Sequence, residues 1–293
     1  FDADSKVLVI RTKDGRLSHL KDSFPNPELI LAKDVRIGDF FLEEVPKQLN
    51  LSKTIIYKYQ TFFEEKTNVL QLEPDLMRLI GYWLAEGSLA KTDKCSNGKN
   101  KPRSARKRPY YKYRVDFAFN INEKEYIEDV RNLMREYFGI SSIVRVTKNT
   151  NGVQINCNTR EGYEFFSQFF GSGATNKKIP EYFINLEEDL LKELVKGFWR
   201  GDGSLSSQNR ETRRTHFTFC STSKVLIEQI RKILLRFQVN PSVHVRTPEM
   251  HKPSFVNGGW IKAKNDLGIL SIYGKNSEIL NSVLDENYGN FSS

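Results

Sequence analysis

Two stretches of the chain decide its fold: LIGYWLAEG at residues 79–87 and LVKGFWRGDG at residues 194–203. Both have the apolar spacing of a helix, and both end on an acid followed by glycine, the residue typical of the position just past a helix. At an offset of 116 residues the two stretches are copies of one pattern, which indicates an internal repeat. The matched pairs are Gly81 and Gly197, Trp83 and Trp199, Glu86 and Asp202, and Gly87 and Gly203.

A second pair of matching segments follows each helix. Residues 116–138 match residues 216–237 at an offset of 100, so the first copy holds 16 additional residues between Gly87 and Asp116. Alternating and helical hydrophobic spacing predicts a helix, two strands, a helix, two strands and a helix in each copy. The sequence therefore predicts an α+β fold, a pseudosymmetric tandem αββαββα repeat in which helices cover one face of each antiparallel sheet.

The segments outside the repeat set the domain boundaries. Residues 1–50 are predicted to be a small β-rich segment, since the run KVLVIRT at 6–12 favours a strand and turn residues follow it. Residues 51–73 are predicted to be a connector that is partly helical. The two halves of the repeat then occupy residues 74–186 and 187–293.

The positive charge of the chain is concentrated in one window. The 293 residues include 45 Lys and Arg against 36 Asp and Glu, a net charge of +9. Residues 91–114 hold ten basic residues and one acid, so this window alone accounts for the net charge. A clustered basic segment beside tyrosines indicates an arm that follows nucleic-acid phosphates. A solvated, disordered basic loop is the alternative.

Composition excludes several classes of protein. The three cysteines are far apart and form no Cys-x-x-Cys pair, which argues against a disulfide framework or a structural zinc site. No apolar stretch approaches the ~20 residues of a membrane helix, and no signal peptide is recognisable. We expect an intracellular, monomeric protein that does not bind membranes and is cytoplasmic, nucleoid-associated or organellar.

The acids that end the two matched helices are predicted to bind metal. An acid at a helix C-terminus faces the negative end of the dipole, at a typical cost of ~0.3–1 kcal/mol. Two such acids brought together repel each other unless a cation lies between them, and hard divalent cations prefer oxygen ligands. An ordinary helical hairpin with surface acids is the alternative. Close packing is favoured by small residues four apart in each helix: Gly81 with Ala85, and Gly197 with Gly201.

These two helices resemble the signature helices of the LAGLIDADG homing endonucleases, in their single-chain form with two motifs. The resemblance covers about residues 74–285. It implies that the signature helices form the interface between the halves and that the two sheets form a saddle over DNA. It also implies that Glu86 and Asp202 are the catalytic ligands of Mg²⁺ or Mn²⁺, and that the carbonyls of Ala85 and Gly201 complete the metal shell.

The same resemblance suggests residues that assist the reaction. Asn120 and Cys220, at the ends of FAFN and FTFC, occupy positions where family members often place a polar residue that orders water, although a cysteine departs from that pattern. Lys178 in the NKKIP stretch resembles the basic residue that often assists at the scissile phosphate. Lys177 is the competing candidate.

The predicted sheets and the basic insertion supply a candidate DNA-binding surface. Alternation along each strand leaves one face of each sheet polar and basic, for which ordinary solvent exposure is the alternative reading. The candidates of the first half are Arg103, Arg106, Lys107, Arg108, Tyr110, Lys112, Arg114, Asn120, Arg145, Gln154 and Asn156. Those of the second half are Arg213, Arg214, His216, His244 and Arg246.

Together these features predict a site-specific endonuclease. It would hydrolyse phosphodiesters of double-stranded DNA with Mg²⁺ or Mn²⁺, at a long target that is asymmetric because the two halves differ in sequence. A non-cleaving DNA-binding regulator or an RNA maturase on the same scaffold is the alternative.

Protein splicing ranks third. The segments FDADSKVLVIRTKDGR at residues 1–16 and AKDVRIGDFF at 32–41 are similar to the opening blocks of an intein splicing domain. Residue 1 is Phe rather than Cys or Ser, and no terminal His-Asn pair followed by a nucleophile is present. Because splicing requires those groups, we expect either that the chain is a fragment or that a splicing remnant has become an auxiliary domain.

Overall fold

A computed structural model describes residues 2–11, 26–43, 45–49, 51–61, 63–93, 111–147, 150–207, 215–250, 253–256 and 259–285. The chain separates into two compact units, Phe1–Val45 and Pro46–Ser293. Within the described ranges, no helix is both long and apolar enough to cross a membrane.

The N-terminal unit is a small antiparallel sheet. Its strands β1 (Lys6–Arg11), β2 (Glu28–Leu31) and β3 (Asp39–Phe41) lie in the order β2-β1-β3. Val7 and Val9 of the central strand are buried, which fits the period-two pattern of a strand with one apolar face. The unit is thus β-rich, as the sequence predicts.

The segment between this unit and the repeat is a β-hairpin, and the expectation of a partly helical connector is wrong. Strands β4 (Thr54–Gln60) and β5 (Glu65–Gln71) pair along their full length. Ile55 and Tyr57 are buried on one face of the hairpin, and the Tyr57 hydroxyl donates to Glu161 at 2.8 Å. Alternation with β-branched and aromatic residues therefore outweighs the helical propensity of the segment.

The two halves of the repeat have the same element order, apart from one hairpin inserted in the second half. The first comprises α1 (Pro74–Glu86), β6 (Gly87–Asp93), β7 (Tyr111–Asn120), α2 (Lys124–Phe138), β8 (Ile143–Val146), β9 (Gly152–Cys157) and α3 (Arg160–Phe170). The second comprises α4 (Glu188–Asp202), β10 (Gly203–Ser207), β11 (Thr215–Ser221), α5 (Lys224–Arg236), β12 (Ser242–Arg246), a short hairpin of β13 (Ser254–Val256) and β14 (Gly259–Ile261), β15 (Leu267–Ile272) and α6 (Lys275–Leu284).

The sheets of the two halves also have matching strand orders. They are antiparallel, with orders β6-β7-β9-β8 and β10-β11-β15-β12. The predicted tandem αββαββα fold is therefore confirmed. The hairpin β13–β14, inserted before the last strand of the second sheet, is an addition that the repeat did not predict.

Helices α1 and α4 pack on each other with their backbones in contact. A Cβ atom added to Gly197 would lie under 3.0 Å from the carbonyl oxygen of Arg78, and one added to Gly81 would lie equally close to that of Leu194. Real Cβ atoms almost never approach other atoms this closely. The two matched glycines therefore set the distance between the halves, and one apolar core runs through both halves.

Each of these helices passes directly into a strand. Gly87 follows α1 with φ −76° and ψ 146°, an extended conformation, and Gly203 follows α4 in the same way. A Cβ on either glycine would clash with the ring and the carbonyl of the preceding tryptophan, Trp83 or Trp199. Glycine is thus required here by the packed indole rather than by a left-handed turn, and each acid is held at the junction of helix and strand.

Replacement of the interface glycine Gly197 by alanine should destabilise the protein strongly. The added methyl group meets backbone atoms of α1, which cannot rotate away, so the helices must separate. We expect Gly197→Ala to lower the free energy of unfolding by about 3 kcal/mol or more, at the upper end of overpacking costs. Urea denaturation measures this difference.

Gly152→Ala is the matched control, because its Cβ would lie 3.2 Å from the Thr150 hydroxyl oxygen, a side-chain atom that can shift. It should change stability by less than about 1 kcal/mol. Equal effects of the two substitutions would contradict the role given to the helix interface.

Candidate active site and nucleic-acid interface

The ends of α1 and α4 touch each other and carry the two predicted acids. A Cβ on Gly201 would lie under 3.0 Å from the Ala85 side chain and 3.0 Å from Cγ of Glu86. Glu86 and Asp202 are the last residues of their helices and are partly buried. The helix packing therefore brings the two carboxylates to one place, as the sequence predicts.

Burial disfavours the ionised form of both carboxylates and so raises their pKa values. Desolvation, with the negative charge of Asp202 as a second cause, raises the pKa of Glu86 to about 7. Desolvation also raises the pKa of Asp202 to about 6, although the Lys177 ammonium opposes it. At neutral pH the pair is poised between protonated and ionised states, so a bound cation would favour the ionised form.

The basic residue beside the acids is Lys177 rather than Lys178. The Lys177 side chain is 6% exposed, and its Nζ donates to the carbonyl of Ala85 at 2.8 Å and lies 5.4 Å from the centre of the Trp83 ring. Lys178 is exposed to solvent. The two lysines are neighbours in an irregular segment, and only one of them can turn inward; the buried position belongs to Lys177.

Desolvation and the acids affect Lys177 in opposite directions. Burial lowers the pKa of its ammonium to about 8, while the charges of Asp202 and Glu86 raise it. At neutral pH the ammonium is therefore charged and acts as an internal counter-ion of the acid pair. Because this ammonium donates to the Ala85 carbonyl, that predicted metal ligand is hydrogen-bonded to Lys177 in this structure.

The backbone around Lys177 is held by the N-cap residue of α5 and by a side chain of that helix. The Ser223 hydroxyl donates to the Lys177 carbonyl at 2.6 Å. The Gln229 amide accepts from the backbone nitrogen of Ile179 and donates to its carbonyl, both at 2.7 Å. Sequence reasoning missed both residues, although a glutamine on the apolar face of α5 was a signal, because buried polar groups are normally hydrogen-bonded.

A second network, centred on Arg78, ties α1, α2 and α4 together behind the acids. Arg78 donates to Asp129 at 2.8 Å and to Glu193 at 2.7 Å. Tyr82 donates to the same Asp129 carboxylate at 3.0 Å and accepts from Arg200 at 2.8 Å. The network joins α1 and α4 to α2, and it opposes sliding of α1 along α4.

The donor set fits a divalent cation shared with a substrate. Among the described residues, no three His, Cys, Asp or Glu side chains gather into a complete metal site. Two carboxylates brought together at the contact of the two helix ends still offer the hard oxygen atoms that Mg²⁺ or Mn²⁺ prefers. The other ligands would then be backbone carbonyls such as that of Gly201, water, and oxygen atoms of the substrate.

The two residues predicted to order water differ in their surroundings. The Asn120 side chain is exposed and accepts from the backbone nitrogen of Asn122 at 3.0 Å, so its oxygen also stabilises the turn before α2. Burial raises the pKa of the Cys220 thiol, and the negative charge of Asp202 raises it further. Cys220 thus lies close to Asp202 as a neutral thiol.

Most described members of the predicted DNA-binding set share a sheet face. In the first sheet Ala118 pairs with Gln154, which pairs with Arg145, so these residues point to one side with Lys112, Arg114 and Asn120. In the second sheet His244 and Arg246 of β12 are exposed, and the ring of His216 stacks on Tyr273 with 4.9 Å between centroids. Outside the described residues lie Arg103, Arg106, Lys107, Arg108, Tyr110, Arg213 and Arg214.

Asn156 does not belong to the exposed surface, so the expectation that it contacts DNA is wrong. Its side chain is 2% exposed, and its amide donates to Asp116 at 2.7 Å. Alternation placed Asn156 on the correct face of the sheet, but the neighbouring carboxylate and its partners cover it.

Comparison with protein families identifies the domain in the second half. Residues 189–278 match the family model of the LAGLIDADG-like domain. These residues are a LAGLIDADG-like domain. The first half of the chain repeats its element order and strand order, so the LAGLIDADG fold occurs twice.

Relatives include proteins with very different names. The chain is 29% identical over 223 residues to an iron–sulfur cluster assembly SufBD family protein of Mycobacterium tuberculosis, which covers 76% of this chain and 22% of that protein. It is 30% identical over 136 residues to a DNA polymerase of Methanocaldococcus jannaschii, which covers 45% of this chain and 7% of the polymerase. The chain therefore spans about a fifth or less of these relatives.

A similar solved structure is that of the homing endonuclease I-DmoI in complex with its target DNA. The two chains are 14% identical, and the superposition has a TM-score of 0.49 and covers 74% of this chain and 96% of I-DmoI.

The raised pKa of Glu86 predicts that the metal-free protein loses stability as the pH rises. Between its ordinary value near 4.5 and about 7, Glu86 holds a proton in the folded state that it releases on unfolding. The unfolded state then binds fewer protons, so the free energy of unfolding falls through this window. Glu86→Gln removes this contribution. In EDTA we expect the variant to match wild type near pH 4.5 and to exceed it by about 1–3 kcal/mol at pH 7.5.

Urea denaturation across the pH range measures the difference. Glu125→Gln, which neutralises an exposed acid of α2, is the control and should follow wild type. A difference between Glu86→Gln and wild type that does not change with pH would contradict the shifted pKa.

Proposed function

We propose that this chain is a site-specific endonuclease that hydrolyses double-stranded DNA with Mg²⁺ or Mn²⁺. The observation that carries the proposal is the pair of partly buried carboxylates, Glu86 and Asp202, at the contact between two repeat-related halves. Each half adds a sheet with a polar, basic face. A structural role alone does not account for two unfavourably placed acids at matched positions.

The carboxylates and the buried lysine would have separate roles. Glu86 and Asp202 would hold the cation, which when bound supplies Lewis-acid activation of water and stabilisation of charge on the scissile phosphate. Lys177 Nζ is held between its contact with Ala85 and the acids, and retains its proton below a pKa of about 8. Its remaining N–H groups are suited to donate to a phosphate oxygen as negative charge develops.

The pseudosymmetry of the fold supports action on both strands of a duplex. Two carboxylates near one axis can each serve one strand. Because the residues on the two sheet faces differ, the target would be long and asymmetric, and a single chain would suffice as a monomer. The basic insertion lies in the sequence between the paired strands β6 and β7 of the first sheet, and its charge would add contacts with phosphates.

The relatives favour the interpretation that this chain is a segment that moves between genes, rather than one that performs the functions in their names. An iron–sulfur assembly protein and a DNA polymerase share no chemistry, and the chain covers only 22% and 7% of them. A segment that recurs within unrelated proteins is consistent with an element that inserts by cutting DNA. The resemblance of residues 1–16 and 32–41 to intein opening blocks points in the same direction.

Substitution of either acid should abolish cleavage without loss of binding. Glu86→Gln and Asp202→Asn keep the shape of the side chains but remove the charge that holds the cation. We expect each to lower the cleavage rate by at least about 10²-fold. Binding should be equal or tighter, since negative charge is removed near the DNA. The assay uses long duplexes selected from a library, with cleavage followed in Mg²⁺ and binding by gel shift.

If wild type binds duplexes selectively but cuts none, and both variants bind alike, the chain is a DNA-binding regulator instead. Cleavage by either variant at the wild-type rate would remove that acid from the mechanism.

The two neighbouring lysines provide a matched pair of variants. Lys177→Met removes an ammonium group beside the acids and should slow cleavage about 10²-fold, the typical loss when one donor that stabilises developing charge is removed. Lys178→Met removes the same charge from an exposed side chain and should mainly weaken binding. Single-turnover rates at saturating protein separate the two effects. A greater loss of single-turnover rate in Lys178→Met would reverse the assignment.

A further inference from the structure

The first sheet carries a buried polar cluster to which the proposed site of Glu86, Asp202 and Lys177 assigns no role. Arg114 Nε lies 2.7 Å from Oδ1 and 2.8 Å from Oδ2 of Asp116. The Asp116 side chain is 5% exposed, and Asn156 Nδ2 donates to its Oδ1 at 2.7 Å. A buried carboxylate, itself held by a buried amide, thus binds one nitrogen of an arginine.

The arginine itself extends toward solvent. Its side chain is 32% exposed, and both described contacts with Asp116 are made through Nε. Since Nε makes the described contacts with Asp116, the two terminal nitrogens of the guanidinium are left to donate to a ligand. The carboxylate is held by the amide at Oδ1 and contacts Nε through both of its oxygens, which restricts the guanidinium and so the direction of its terminal N–H groups.

The strand register puts this arginine on the candidate DNA-binding face. Asp116 lies between Ser88 of β6 and Asn156 of β9, and Arg114 faces Ala90 across the β6–β7 ladder. The alanine is small, so the face beside Arg114 is not filled by a large neighbour. Arg114 belongs to the same face as Lys112 and Asn120.

The charge of the cluster favours a base over a phosphate as its ligand. Because Asp116 neutralises much of the positive charge of Arg114, the pair attracts a phosphate less than a lone arginine would. The directional donors remain, and two parallel N–H groups match the O6 and N7 acceptors of guanine in the major groove.

The second half has a different cluster at the same place. The residue that matches Asp116 at an offset of 100 is His216, and its ring stacks on Tyr273, the residue that follows β15. The described part of the second sheet thus has no carboxylate at this position. The two halves therefore differ in chemistry at matched positions.

We propose that Asp116 and Asn156 orient Arg114 to read one guanine in the half-site bound by the first sheet. Arg114 is the specificity-determining residue, and Asp116 and Asn156 are positioning residues. The inference rests on the proposed function only in that this face binds duplex DNA; it does not require cleavage.

The test is a binding selection from a library of randomised long duplexes, in EDTA, with wild type and three variants. Arg114→Lys keeps the charge and can still pair with Asp116, but loses the planar fork. Asp116→Asn keeps the shape but loses the carboxylate. Glu125→Gln neutralises an acid on the exposed side of α2 and is matched to Asp116→Asn in charge change. Melting temperatures establish that each variant is folded.

We expect wild type and Glu125→Gln to prefer guanine at one position of one half-site by at least about fivefold. Arg114→Lys and Asp116→Asn should lose most of that preference, with the preferences at other positions unchanged. Retention of the guanine preference by both folded variants would overturn the inference, as would a uniform loss of affinity that left every base preference intact. If wild type enriches no sequence, the proposed DNA recognition fails and the inference fails with it.

Discussion

The close contact between α1 and α4 is the constraint on which the rest of the structure depends. Gly81 and Gly197 let the two backbones touch, so the contact continues to Ala85 and Gly201 at the helix ends. Any larger residue at those glycines would separate the helices and, with them, Glu86 from Asp202. The geometry of the acid pair is therefore fixed by the absence of side chains several residues earlier, rather than by bonds between the acids themselves.

This packing holds the two acids where each is unfavourable. Both lie at the negative end of a helix dipole, partly removed from water, and Glu86 also experiences the charge of Asp202. The charge of Lys177 offsets part of that cost. Ser223 and Gln229 hydrogen-bond the backbone at and beside Lys177 and so hold the lysine in place. The arrangement thus opposes folding locally, as expected where a site rather than stability has determined the residues.

The sequence was sufficient for the features that repeat and insufficient for those that depend on one long-range contact. The glycine and acid pairs recur at one offset, so helix packing and the acid site could be predicted. The choice between Lys177 and Lys178 could not, because it is set by Ser223, 46 residues away. The burial of Asn156 could not be predicted either, because alternation assigns a residue to a face of the sheet but does not show which neighbours cover it.

The matched positions that diverge show how one fold came to hold two different halves. At an offset of 100, Asp129 corresponds to Gln229. Asp129 joins α2 to Arg78 and Tyr82 of α1, whereas Gln229 binds the backbone beside Lys177. One helix position therefore stabilises the interface in the first half and supports the lysine in the second. Because the shared elements have the same order in both halves, such buried polar positions and the residues on the sheet faces give the two halves different chemistry within one fold.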